Sequence, residues 1–275
     1  SGALDQNWEA IRESTFVLGS GEILDVTDRF RSEGGVAALR LGWAQNVTES
    51  IGVGLSLGSY LGNLRRSLTR TFRQGDVPAD ALNPFQQGME WRLTGPTAVV
   101  GATWDPSELV RVAGSVTWSG DLHAEPTGSS GGPEQDLDLP LEYRLGATGS
   151  LSPRLSLNVG ASYADWSGVT DDLNSGSGVG AVWSYGGGLE WEGPQLLGRT
   201  FPLRVGGRHT DYPFRFEGVA PSEDVVAFGL GLNLLGDPDQ PVAAFDLSFE
   251  IGSRDGGSFS ESFTRATFSV RVAGG

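Results

Sequence analysis

The residues that bear on chemistry in this chain are charges spaced at alternate positions within otherwise patterned segments. They are Arg40, Arg111, Glu142, Arg144, Glu190, Arg204, Arg208, Asp246, Glu250, Arg265 and Arg271. A guanidinium fork can anchor a carboxylate head group, or line a polar permeation path, and it can equally pair with a neighbouring acid. Segments 241–254 and 259–273 read as hairpin neighbours, which sets Asp246 and Glu250 across from Arg265 and Arg271. The same logic sets Glu190 against Arg204 and Arg208. Of the two readings, an internal ion-pair lattice has the stronger claim over a ligand anchor. A buried charge needs a partner whatever the function is.

Other candidates for chemistry are weak. His123 follows Asp121 by two residues, and His209 precedes Asp211 by two. Without a G-x-S-x-G elbow these read as loop or strand-end histidines, so no catalytic residue is expected. The acidic stretches GPEQDLD, TDDLNSGSG and SRDGG lack the D-x-[DN]-x-[DN]-G spacing, and no metal site is expected there. There is no cysteine for a thiolate ligand or nucleophile, and no cofactor is expected. The run NLRRSLTRTFR carries Arg65, Arg66, Arg70 and Arg73. It either meets lipid phosphates or extends a strand beyond a membrane. Stretches such as GGGLE and SGSGVG are not phosphate loops, because no helix follows to supply the N-terminal dipole. They let strands bend and keep the interior open.

The elements that carry these charges are strands. In LPLEYRLGATGSLSPRLSLNVGASYADW, Leu141, Tyr143, Leu145, Leu155, Leu157, Val159 and Tyr163 alternate with Glu142, Arg144, Gly146, Ser156, Asn158, Gly160 and Ser162. The same period of two recurs at 36–44, 51–61, 109–118, 179–191, 225–234, 243–251 and 265–272. It predicts about twelve strands, at 15–30, 34–45, 51–72, 88–104, 109–122, 137–150, 154–167, 178–192, 201–217, 223–235, 241–254 and 259–273. Connections alternate between short turns (46–50, 104–108, 150–154, 236–241) and long loops (73–88, 124–136, 168–178, 212–224, 253–261). Residues 193–200 form a turn of intermediate length.

Strands of this length exceed the usual soluble range, and about 9–11 tilted residues cross a bilayer. Short turns at one end, long loops at the other, and Trp43, Trp104, Trp118, Tyr163, Trp183 and Trp191 near strand ends fit a transmembrane barrel. The apolar face is then expected to meet lipid; in a soluble sandwich it would meet a second sheet. The mean hydropathy of −0.17 is compatible, since only every second residue of a barrel strand is apolar. No run of about 18 apolar residues predicts a membrane helix. A net charge of −15 argues against a nucleic-acid binder. Residues 1–14 read as an N-terminal extension or remnant, and 15–275 as the barrel domain.

Two regions resemble a known family. The segment FRSEGGVAALRLGWAQNVTESIGVGLSLGSYLGNLRRSLTRTF (30–72) is similar to a barrel hairpin of the FadL-like outer-membrane transporters of hydrophobic compounds. So are FPLRVGGRHTDYPF (201–214), EDVVAFGLGLNLL (223–235) and AAFDLSFEIGSRDG, which begins at Ala243. A Pro-Leu-Arg strand, a loop, a Gly-rich GLGL strand and a strand with an inward Asp follow one another in both. The family has about fourteen strands and an N-terminal hatch, against about twelve and no hatch read here. The plainest expectation is that the N-terminal part of a longer protein is lacking, and a complete twelve-stranded relative is the alternative. Hatch-borne contacts are carried over to no residue.

The resemblance implies a bacterial outer-membrane barrel for passive uptake of a hydrophobic or amphipathic small molecule, without enzymatic activity. Membrane lipid and lipopolysaccharide are the expected surroundings. A non-transporting scaffold barrel that docks envelope proteins is the alternative function. An outer-membrane enzyme is disfavoured by the scarcity of histidine.

Overall fold

The computed structural model describes residues 4–17, 23–73, 84–127, 133–169, 179–196, 199–215, 218–237, 240–257 and 260–272. Period-two sequence becomes strand nearly throughout. The strands are β1 (Leu4–Val17), β2 (Ile23–Asn46), β3 (Ile51–Arg73), β4 (Phe85–Ser107), β5 (Val110–Ser119), β6 (Leu122–Pro126), β7 (Gln135–Leu137) and β8 (Glu142–Ser152). They continue with β9 (Leu155–Asp165), β10 (Ala181–Trp191), β11 (Gln195–Leu196), β12 (Arg199–Thr200), β13 (Leu203–Asp211), β14 (Ser222–Asp237), β15 (Gln240–Asp255) and β16 (Ser260–Val272). One 3₁₀ turn, Ser167–Val169, follows β9.

Fourteen strands form one sheet. Its hydrogen-bonded order is β1-β2-β3-β4-β5-β8-β9-β10-β13-β14-β15-β16, with β6 on β4 and β7 on β6. The path of neighbours therefore has the expected twelve members, in chain order apart from the two short additions. The registers from β8 to β16 are antiparallel, as is that of β1 on β2. The pair β11–β12 is a separate small ribbon inside the expected 193–200 turn.

The start of the chain departs from the expected bounds. A strand at 15–30 and another at 34–45 were expected, separated at 31–33. Instead Leu4–Val17 is the first strand, and β2 runs unbroken through Gly34 and Gly35 to Asn46. Gly34 has φ 135°, and a Cβ there would collide with the Asn63 carbonyl oxygen. A Cβ on Gly62 would likewise collide with the Gly35 carbonyl oxygen. The glycines mark a close backbone approach between β2 and β3, a role that sequence cannot separate from a turn. Two further bounds shift. The expected 109–122 strand ends at Ser119, with β6 beginning at Leu122, and the 201–217 strand spans Leu203–Asp211.

The chain divides into two compact units. The first comprises 1–41, 57–97 and 119–138, and the second 42–56, 98–118 and 139–275. The first unit buries Val26, Val36, Leu93, Leu122 and Ala124, together with Ser32 and Asp28. Arg70 donates from Nε and Nη2 to the two Asp28 carboxylate oxygens at 2.6 and 2.8 Å. That fork holds the Asp28 carboxyl below the ordinary carboxylate range. The stretches 23–33 and 63–73 are polar on one face (Asp25, Thr27, Arg29, Arg31 and Asn63, Arg65, Ser67, Thr69) and mixed on the other (Leu24, Val26, Asp28, Phe30 and Leu64, Arg66, Leu68, Arg70).

In the second unit the burial is inverted. Trp183, Tyr185, Leu189 and Trp191 are exposed along β10, while Ser184, Gly186, Gly188 and Glu190 on the opposite face are half-buried. On β15, Leu247 is 52 % and Phe249 45 % exposed, and Asp246, Ser248 and Glu250 between them are less so. Among the described residues nothing covers these apolar side chains. Side chains of Tyr143, Tyr163 and Trp183 line up across β8, β9 and β10 on that face, with ring centroids 6.4 and 4.7 Å apart. Such a row is the aromatic edge of a lipid-facing band.

Candidate functional site

The polar face of the second unit has two regions of different chemistry. The first is walled by small residues. Gly42 and Ala44 of β2, Gly54 and Ser56 of β3, and Ala113 and Ser115 of β5 surround a cavity of about 850 Å³. Alternation explains part of the wall, since Gly42, Gly54 and Ser56 each sit between apolar neighbours that point the other way. Arg144 of β8 reaches the cavity, and its Nε donates to Glu142 Oε1 at 2.7 Å from two residues earlier on the same strand face. Arg111 donates from Nε and Nη2 to Asp105 at 2.7 and 2.9 Å. The wall therefore offers volume without a loose charge at Arg144 or Arg111.

The second region is a ladder of ion pairs on β10 and β13–β16. Arg204 Nε donates to Glu190 Oε2 at 2.7 Å, and its Nη1 donates to Asp246 Oδ1 at 2.5 Å. Arg271 Nη2 donates to the other Asp246 oxygen at 2.8 Å. Arg265 Nη1 donates to Glu250 Oε2 at 3.1 Å, and Arg208 lies 3.7 Å from Glu250 Oε1. Arg208 Nη2 also donates to Glu223 Oε1 at 2.7 Å. Arg254 Nε and the Tyr212 hydroxyl complete Glu223 at 2.7 and 3.0 Å. Registers set this arrangement: Glu190 faces Arg204 and Glu250 faces Arg265 directly. Asp246 lies diagonally from Arg271.

The structure thus brings together the expected partners Glu190 with Arg204, Asp246 with Arg271, and Glu250 with Arg265. Arg208 pairs with Glu223 and Glu250, not with Glu190. Arg40 stands in the first unit, where its Nη2 donates to the Thr97 hydroxyl at 3.1 Å and the Tyr60 hydroxyl at 3.3 Å. Glu223, Arg254 and Asp105 were missed by the sequence reading. Extending the alternation from Glu250 by four residues would have put Arg254 on the polar face, but the Ser-Arg-Asp-Gly-Gly stretch reads as loop. Asp105 lies in a segment that reads as a turn.

The histidines lie elsewhere. His123 Nδ1 is 2.7 Å from Asp136 on the β6–β7 hairpin. His209 sits 2.8 Å from Asp224 and 3.1 Å from Asp211, near the C-terminal end of β13. Its ring stacks on Tyr185 with centroids 5.1 Å apart. Asp224 first, then Asp211, raises the His209 imidazole above its ordinary value. Among the described residues no cluster of metal-ligating side chains occurs. The stretch TDDLNSGSG lies outside the described residues.

No protein-family model and no curated protein matches the chain. Solved structures do. The CymD monoaromatic hydrocarbon channel superposes with a TM-score of 0.58 at 12 % identity, covering 98 % of this chain and 87 % of that one. A Pseudomonas aeruginosa FadL homologue gives 0.56 at 10 % identity, covering 94 % and 75 %. The Ralstonia pickettii toluene transporter TbuX gives 0.57 at 13 % identity, covering 93 % and 78 %. At such identities the likeness is one of fold, and it agrees with the lipid-facing band and the polar inner face. In fold, this chain is similar to these FadL-type channels, an antiparallel sheet of the β-barrel kind.

Proposed function

We propose that this barrel lies in a bacterial outer membrane and admits a hydrophobic or amphipathic small molecule by passive diffusion. The observation that supports this most is the cavity on the polar face. Its 850 Å³ lies within the range of small-molecule sites, and Gly42, Ala44, Gly54, Ser56, Ala113 and Ser115 in its lining leave space open. The solved channels of like fold are named for a monoaromatic hydrocarbon and for toluene, which favours a small hydrophobic solute. A solute would enter from the long-loop side, rest against the small-residue wall, and leave through the lumen or a lateral gap. Lipopolysaccharide and lipid would contact the outward band. The role is binding and passage, with no bond made or broken.

The test is entry of the hydrophobic dye N-phenylnaphthylamine into cells with an intact lipopolysaccharide layer. Expression of the chain is expected to raise dye fluorescence several-fold, and the cavity-filling variant Ala113→Trp to return it to background. Equal entry with and without the chain overturns the reading.

A further inference from the structure

The arginines singled out by alternation differ in one respect. Arg111, Arg144, Arg204, Arg208, Arg265 and Arg271 each have a carboxylate partner. Arg40 has hydroxyls instead: Thr97 Oγ1 at 3.1 Å and Tyr60 Oη at 3.3 Å, both from Nη2. Among the described residues no carboxylate lies within ion-pair distance of it.

The setting is built around this side chain. Gly58 faces it from β3, where a Cβ would lie 2.8 Å from Arg40 Cγ and would collide with the Leu39 carbonyl oxygen. Only a glycine leaves room for the stem. The Tyr60 ring stands 5.7 Å from the guanidinium carbon, and the Tyr60 hydroxyl is itself fixed by Ser119 Oγ at 3.0 Å. Thr97 is 2 % exposed, so its hydroxyl is a fixed acceptor. These contacts occupy Nη2 and one ring face. Nη1 and Nε keep their donors, and the positive charge is held in place without being neutralised. Hydroxyls orient a guanidinium but leave its charge to be met by an anion.

We infer that Arg40, seated on Gly58 and held by Thr97 and Tyr60, is an anchor for the anionic group of an amphipathic solute. The site extends the passage role proposed above and rests on it for its biological use. Its binding chemistry stands separately. Arg40 then sets selectivity: it retains organic anions over neutral molecules of the same shape, while charge-balanced pairs such as Arg204–Asp246 and Arg265–Glu250 do not discriminate.

The test is calorimetric titration of the full chain in detergent at pH 8, with 4-phenylbutyrate against the neutral 4-phenylbutanol. In the unmodified chain the anion is expected to bind about tenfold more tightly than the alcohol, the scale of one charge-assisted hydrogen bond. Arg40→Gln, whose amide can still reach the Thr97 hydroxyl, is expected to lose that preference and keep alcohol binding. Arg40→Lys is expected to retain part of it. Retained heat-modifiable gel mobility checks that each variant is folded. An equal preference in the unmodified chain and Arg40→Gln overturns the inference, as does a failure of the anion to bind at all. Either result leaves the dye-entry experiment to judge passage on its own. Loss of dye entry with the anion preference intact would sink the passage role and keep the site.

Discussion

The small-residue wall and the ion-pair ladder are the same kind of surface, a polar face made by every second residue of antiparallel strands. They differ in what fills that face. On β2, β3 and β5 the inward positions are Gly42, Ala44, Gly54, Ser56, Ala113 and Ser115, and a cavity remains. On β10 and β13–β16 they include Glu190, Arg204, Arg208, Asp246, Glu250, Arg265 and Arg271, and the space is bridged from strand to strand. A carboxylate shared by two guanidinia removes the wish of either for a ligand and ties neighbouring strands together. Small side chains do the reverse. Under the proposed function, passage falls to the wall and rigidity to the ladder, whose charges the sequence reading favoured as an internal ion-pair lattice.

The comparison is broken most severely by filling the wall. Ala113→Trp is expected to abolish dye entry, and Arg265→Ala to leave it near the unmodified level. Similar losses in both variants would erase the distinction between the regions. Next in size is the outward band. Leu247→Arg, at a position 52 % exposed, is expected to cost about 3 kcal/mol of folding stability in lipid, read by denaturant titration in vesicles. A soluble-protein surface at Leu247 would accept arginine at almost no cost.

The ladder is sharpened by Asp246→Asn. Asp246 is shared by Arg204 and Arg271, so the variant leaves two guanidinia short of charge and is expected to cost about 2 kcal/mol in the same titration. Arg271→Ala removes a more exposed partner and is expected to cost under about 1 kcal/mol. Equal costs would mean that Asp246 is not the hub.

The smallest effect is local. His209 is held above its ordinary value by Asp224, and its protonated form is the one that pairs. Its contribution is therefore full below about pH 6.5, the unfolded value, and fades as pH rises through the raised folded value. In Asp224→Asn the His209 titration midpoint, followed by NMR, is expected to fall. An unchanged midpoint would show that the contact does not form in solution.

Much of this architecture was legible because period two is a strong signal. The bounds of β3, β9, β15 and β16 were read to within a few residues, and the pairing of Glu250 with Arg265 followed from hairpin adjacency alone. What escaped has physical causes. Gly34 and Gly35 serve a close approach to β3, and a Gly-Gly pair looks the same whether the chain turns or continues. Arg208 chooses Glu223 because Glu223 is on the other neighbouring strand, and strand registers between β13 and β14 are not written in either segment. The cavity wall left no chemical signal at all, since it is made of residues with no reactive group. Arg40 was named with the other charges, but only its hydroxyl partners distinguish it from them.

The central claim is that one face of these strands meets lipid and the other an aqueous interior. Because the chain has no cysteine, single-cysteine spin labelling along β15 from 245 to 251 reads the claim without background. The account predicts that labels at Phe245, Leu247, Phe249 and Ile251 collide with oxygen dissolved in the bilayer. Labels at Asp246, Ser248 and Glu250 are predicted to collide instead with a water-soluble nickel chelate, the two profiles alternating out of phase. Profiles that rise and fall together, or oxygen accessibility that is flat along the strand, would contradict it.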